Sequence, residues 1–363
     1  MSLAERATLK SVREDTSAAR SQLAGSLKET GLKAPLYLFG ANKDSEAWMS
    51  ALCVQGVIDD FAELPATFHG VDVIRLSDVP EDSVIINCVT NSKPLTAMRR
   101  LSERTSAQIY FAADLAAAFP DALPMFEFMR SSRESFSKRA DDWEKLYAAL
   151  DDDTSRATLE DIVAYRFTGD PRVLSNYRYR PHEQYFESFL ALQSEVFVDG
   201  GAFDGETTEL FAENFPQYQH VHLFEPDPVN FERSRTRLAD LRDISFHPVG
   251  LSDARGDLRF KVGGGSASVV DEAGDHTISV NTIDAKAGNA TFIKLDLEGW
   301  ELAALKGARS TIINNKPKIA VGAYHSPDDF LKIFDWVCTV RPDYRVALRH
   351  YTESWTETVL YFY

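Results

Sequence analysis

From Pro35 the chain alternates short apolar runs with helix-length amphipathic stretches. LYLFGANKDSEAWMSALCVQGVIDDF sets the pattern: an apolar run, a glycine, a helix-length segment, then a second apolar run ending in paired aspartates. Further runs at 71–74 and 84–89, separated by Ser77, Asp78 and Pro80, predict a small parallel sheet covered by helices. Between Leu123 and Glu195 β-branched runs thin out and helical spacing appears in Trp143 to Leu150 and in Glu183 to Leu192. A second series follows, with strands expected at 196–198, 220–225, 244–249, 292–295 and 318–323 and a helix from Trp300 to about Ile313. LRFKV and TISVNTIDA alternate around Gly263-Gly264-Gly265-Ser266 as a surface hairpin would, and DYRVALRHY and TETVLYFY predict a closing antiparallel hairpin. The expectation is therefore α/β throughout: an N-terminal helix over 1–30, a small Rossmann-like domain over 31–122, a helical connector over 123–183 and a larger α/β domain over 184–363.

A length of 363 residues agrees with more than one domain. The 39 basic against 55 acidic side chains leave a net charge of −16, which opposes unselective binding to a phosphate backbone and argues against a nucleic-acid partner. Cys53, Cys88 and Cys338 lie far apart in apolar runs and read as buried free thiols, pointing to a reducing cytoplasm. No stretch approaches the ~20 apolar residues of a membrane helix, and charges stand where a signal peptide would be apolar. Composition leaves a homo-oligomer open.

In the first block Asp59 lies 19 positions beyond Gly40, near where a dinucleotide fold places its ribose-binding acid. The turn GANKDS lacks the further glycines, so a nucleotide fold that does not hold a dinucleotide fits better. At the entrance to the second block stand Tyr177, Arg178, Tyr179 and Arg180, a packing seam or a wall of a substrate cleft.

The second block carries the chemistry. VFVDGGAFDGETTELF runs from a strand through Asp199, Gly200, Gly201 and Ala202 into a helix beginning near Glu206. Glycines there let a ligand lie against the backbone at the carboxyl end of the strand, while Asp199 and Asp204 would give the cradle negative charge. Like charges repel a pyrophosphate, whereas a ligand with a sulfonium and an ammonium is favoured, so S-adenosylmethionine fits better than NAD. Glu225 ends the next strand 24 positions after Gly201 and is placed to hold ribose hydroxyls. The turn Gly250-Leu251-Ser252-Asp253 should flank the adenine or be a plain β-turn. Lys294, Asp296 and Glu298 alternate along an extended segment, as a salt-bridged row or as a site facing the methyl donor. His325 ends a core strand and is a candidate general base. Asp296, Glu298 and His325 could alternatively coordinate a divalent ion, although no metal is predicted.

Together these residues resemble the FkbM family of S-adenosylmethionine-dependent methyltransferases over roughly 184–363. The resemblance rests on QYF, EVFVDGGAFDGET, FEPDP, IKLDLEGWE, LKGA, KPKIAV, YHSPDD and LRHYTESWTETVLY. It implies a seven-stranded Rossmann-like methyltransferase domain ending in an antiparallel hairpin, with S-adenosylmethionine as donor. The implied donor site draws on Asp199, Gly200, Gly201, Ala202, Asp204, Thr207, Glu225, Pro226, Gly250, Leu251 and Asp296. His325, Asp296 and Lys294 form the expected catalytic set, and Glu298, Tyr324 and Tyr179 the expected acceptor contacts. Trp300 stands where the family often carries a small residue. Members commonly O-methylate sugars, polyketide-type products or related hydroxylated molecules, so a small polar molecule or glycan is the expected acceptor. An NAD(P)-dependent oxidoreductase and a non-catalytic sugar- or nucleotide-binding protein are the rival functions.

Overall fold

The computed structural model describes residues 2, 3, 5, 6, 34–91, 93–119, 121, 123, 125–180, 182–261, 269, 270 and 276–363. The expected N-terminal helix over 1–30, apart from Ser2, Leu3, Glu5 and Arg6, and the glycine run 263–266 lie outside these residues. Two compact units divide the chain. The first comprises Met1–Glu144, Ala157–Arg178 and Thr352–Thr356, the second Lys145–Arg156, Tyr179–Tyr351 and Glu357–Tyr363.

The first unit is built on β1 (Leu36–Phe39), β2 (Gly56–Ile58), β3 (Ala66–Phe68), β4 (Val71–Ile74), β5 (Val84–Asn87) and β6 (Gln108–Phe111), in the order β3-β4-β2-β1-β5-β6. All neighbours are parallel except β3 with β4. Every residue of β5 is buried, as expected for a central strand covered on both faces. The short β3 and β6 carry weak apolar signals and escaped the sequence pattern. After β1, Gly40 takes φ +100°, and Asn42 caps the helix Lys43–Met49 by accepting from the amides of Asp44 and Ser45. Of the expected connector, Glu127–Lys138 belongs to this unit, as does the Ala157 to Thr168 part of helix Asp153–Thr168. Tyr165 donates to Thr90 O at 3.0 Å, anchoring that helix within the unit.

The second unit contains β7 (Val196–Gly200), β8 (His220–Phe224), β9 (Ile244–His247), β10 (Gly250–Leu251), β11 (Gly256–Lys261), β12 (Val269–Val270), β13 (His276–Asn281), β14 (Phe292–Leu295), β15 (Lys318–Gly322), β16 (Val346–His350) and β17 (Thr358–Phe362). Seven of them form one sheet in the order β16-β17-β15-β14-β7-β8-β9, and β10 to β13 form a smaller sheet. Only β17 runs antiparallel to its neighbours, so the carboxyl ends of β7, β8, β14 and β15 share one edge. Phe197, Phe211 and Phe292 are fully buried and pack together toward the amino ends of β7 and β14, with the Phe197 and Phe292 rings stacked 5.0 Å apart.

Three expectations are corrected. Glu183 to Leu192 is not a helix beyond the single turn Ser188–Leu190, because Tyr185 and Ala191 take φ +72° and +47°. Its side chains are drawn into tertiary hydrogen bonds, which outweigh helical spacing. The helix after β14 is two helices, Glu301–Lys306 and Arg309–Asn315, separated near Gly307, where a Cβ would stand 2.0 Å from Ser252 O. Cys53 is exposed and Cys338 half-buried, so Cys88 is the buried thiol of the three.

Candidate functional site

The glycine turn after β7 closes on the protein itself. A Cβ at Gly201, which takes φ +71°, would stand 2.0 Å from Asp296 O, and one at Gly200 would meet Leu295 at 2.7 Å and Leu251 at 2.9 Å. These glycines therefore admit the backbone of the β14 loop and the side chain of Leu251. Gly201 N and Ala202 N both donate to Phe224 O, which sets Glu225 beside the turn. Glu225 is buried and accepts from Phe203 N at 2.8 Å on one oxygen and Asp227 N at 2.9 Å on the other. Burial pushes its carboxyl up to about 7, with Asp227 adding to the rise and Lys294 opposing it. Gly250 and Leu251 pair with β13, and a Cβ on Gly250 would approach Pro226 at 4.0 Å, so these residues gather at one end of the turn.

The negative charge expected of this cradle is cancelled. Asp199 is fully buried, accepts from Thr208 Oγ1 at 2.7 Å and pairs with Lys294 at 3.0 Å. Asp204 pairs with Arg237 at 2.7 Å. Thr207 lies half-buried in the first turn of helix Glu206–Asn214, one position before the threonine that meets Asp199. The β7–β14 register sets Lys294 opposite Asp199, and its ammonium also donates to Gly200 O at 3.1 Å and Gly201 O at 2.8 Å. With its side chain 3% exposed and its donors committed below the turn, Lys294 is not placed to touch a substrate. Its expected catalytic role is replaced by a supporting one.

Past the end of β14 the polarity changes. Asp296 accepts from Tyr185 at 2.9 Å and from Tyr324 at 3.1 and 3.2 Å, and Tyr324 also reaches Glu357 at 3.4 Å. Gln184 donates to the far oxygen of Glu357 at 2.6 Å. His325 is ringed by carboxylates, with Glu301 at 3.2 Å from Nδ1 and Asp296 and Glu298 each 3.5 Å from Nε2. Burial alone would depress this imidazole, but Glu301, Asp296 and Glu298 more than reverse it and push it up to about 9. Three carboxylates about the ring favour its protonated form, which weighs against the expected role of general base. Asp296, Glu301 and His325 each offer a ligand atom within 4.8 Å of the others, the one such group among the described residues. The Glu301 oxygen nearest the ring already accepts from Leu297 N and Gly299 N, which leaves it serving the loop and the imidazolium. Glu298, at φ +54°, is the most exposed of the three carboxylates, and burial pushes it up to about 7. Tyr179 is half exposed, and burial together with the charges of Glu206 and Glu357 raises its hydroxyl. Trp300 donates to Ser252 Oγ at 3.4 Å and so packs beside the turn that follows Gly250 and Leu251.

Sequence reasoning overlooked Glu301, Glu357 and Arg237 and left Gln184 and Tyr185 without roles. Four of the eight described non-glycine residues at positive φ, Tyr185, Phe203, Glu298 and Glu357, belong to this site. Such strain persists where the surrounding structure holds it, and it gathers at functional sites. It has no signature in the sequence.

The sheet order, the antiparallel β17 and the glycine turn facing Glu225 define a Rossmann-like methyltransferase fold. Residues 199–346 match the methyltransferase FkbM domain. The crystal structure of methyltransferase FkbM from Methylobacillus flagellatus KT is 25% identical, covers 94% of this chain and 93% of that one, and superposes with a TM-score of 0.71. A precorrin-6y C5,15-methyltransferase from Geobacter metallireducens GS-15 (13% identity, 48% of this chain and 82% of that one, TM-score 0.31) overlaps too loosely to carry an argument. The same holds for a putative methyltransferase from Streptococcus mutans in complex with SAH (11%, 50% and 97%, 0.32). No curated protein matches the sequence. Among the described residues no helix is long and apolar enough to cross a membrane.

Proposed function

We propose that the protein is an S-adenosylmethionine-dependent O-methyltransferase acting on a hydroxyl of a small polar molecule or glycan. The observation that carries the donor assignment is Glu225, held beside the glycine turn by one backbone amide per oxygen, so that each oxygen keeps acceptor capacity for a ribose hydroxyl. When bound, S-adenosylmethionine supplies an electrophilic methyl group. Gly250 and Leu251 bound the adenine side, and Asp296, fixed by Tyr185 and Tyr324, faces the acceptor side. Glu298 receives the hydroxyl proton, since a half-buried carboxyl poised near 7 is matched to proton transfer at neutral pH. His325 holds Glu298 and Asp296 in place, and Tyr179 lines the acceptor entrance. Most of the acceleration comes from aligning the reacting atoms, which this constellation provides without a covalent intermediate.

Calorimetric titration with S-adenosylhomocysteine, run beside NAD and repeated on Glu225→Ala, tests this. The expected result is binding of S-adenosylhomocysteine alone, weakened on the order of a hundredfold by loss of the charge-assisted hydrogen bonds. Binding of NAD instead, or of neither, overturns the assignment.

A further inference from the structure

We infer that Lys294 is a positioning residue of the methyl-donor site, acting through the carbonyls of Gly200 and Gly201 and through its field at Glu225. This rests on the donor assignment to Glu225. Three oxygens, Asp199 Oδ1, Gly200 O and Gly201 O, surround the ammonium within 3.1 Å, and the Tyr185 ring lies over it at 5.4 Å. The peptide units of the turn are thereby gripped from both sides. Lys294 holds their carbonyls, while Phe224 O takes the amides of Gly201 and Ala202. That leaves Phe203 N pointing to Glu225, at a φ of +50° that a free chain would rarely choose. An aliphatic side chain at 294 would free both carbonyls, and the turn would lose the constraint that aims Phe203 N and the Glu225 carboxylate.

The same ammonium acts at a distance. The groups facing Glu225 are the amides of Phe203 and Asp227, the Asp227 carboxylate from its own loop and Lys294 from β14. Lys294 is the cation in that set, so it favours the ionised form that accepts two hydroxyls. A residue that merely filled space would not influence the pH dependence of donor binding; Lys294 would.

The test uses the full chain, S-adenosylhomocysteine as probe and calorimetry from pH 5.5 to 9. Because Lys294→Met alone strands a buried Asp199, the informative variant is Asp199→Asn with Lys294→Met, which removes both charges, beside Lys294→Arg, which keeps a cation and donors. Expected are a dissociation constant raised about tenfold or more in the double variant, a displacement to higher pH of the point below which affinity declines, and partial restoration in Lys294→Arg. A folded double variant that binds within about twofold of wild type with an unmoved pH profile overturns the inference. If the wild type itself fails to bind S-adenosylhomocysteine, the donor assignment falls and this inference falls with it.

Discussion

The two ends of the site balance charge in opposite ways. At the glycine turn two aspartates each have their own cation, Asp199 with Lys294 and Asp204 with Arg237. Beyond β14 and β15, Asp296, Glu298, Glu301, Asp329 and Glu357 gather about His325. Burial and mutual repulsion push Asp329 up to about 6 and Glu357 to about 7. Paired charges there build a rigid floor, whereas surplus charge of one sign makes protons easy to exchange near neutral pH. The first arrangement suits holding a ligand, and the second suits chemistry.

The sharpest way to break this contrast is to unpair the floor. Lys294→Met leaves Asp199 buried without its partner and should cost about 3–5 kcal/mol of stability, read as a large fall in urea midpoint, while the added Asp199→Asn recovers much of it. Equal midpoints for the single and double variants would mean that the pair is not what holds the turn.

A smaller effect is expected of His325→Ala. The surrounding carboxylates push the folded imidazole up to about 9 from its ordinary 6.5, so its stabilisation is complete below 6.5 and is lost as pH rises through 9. Wild-type Tm should therefore fall across that window, and the variant, less stable at pH 6, should lack the fall. The smallest effect belongs to Glu357→Gln. A carboxyl raised from 4.5 to about 7 loses stability as pH climbs between those values, so this variant should match wild type near pH 5 and melt a few degrees above it past pH 7. A constant Tm difference over that range would show that Glu357 carries no strained charge.

The place of Glu225 beside the glycine turn was legible because its cue is local: a strand end at a set distance from that turn, closed by Pro226 and Pro228. The charge of the cradle was misjudged because Lys294 is 95 positions from Asp199 in sequence and adjacent to it only through the β7–β14 register. Glu357 and Tyr185 remained hidden for a related reason. They meet Asp296 through Tyr324 or directly, from segments more than a hundred residues apart at their extremes, and both stand at backbone angles that no residue type announces.

Apolar periodicity and turn residues determined that this chain is α/β, where most strands lie, and which turn resembles a methyl-donor loop, because those properties depend on neighbours along the chain. Tertiary structure alone decided which carboxylates are paired with cations, that His325 stands among carboxylates that favour its charged form, and that the glycines yield to Asp296 and Leu251. Ionisation and close approach depend on distances through space, and those are set by sheet register.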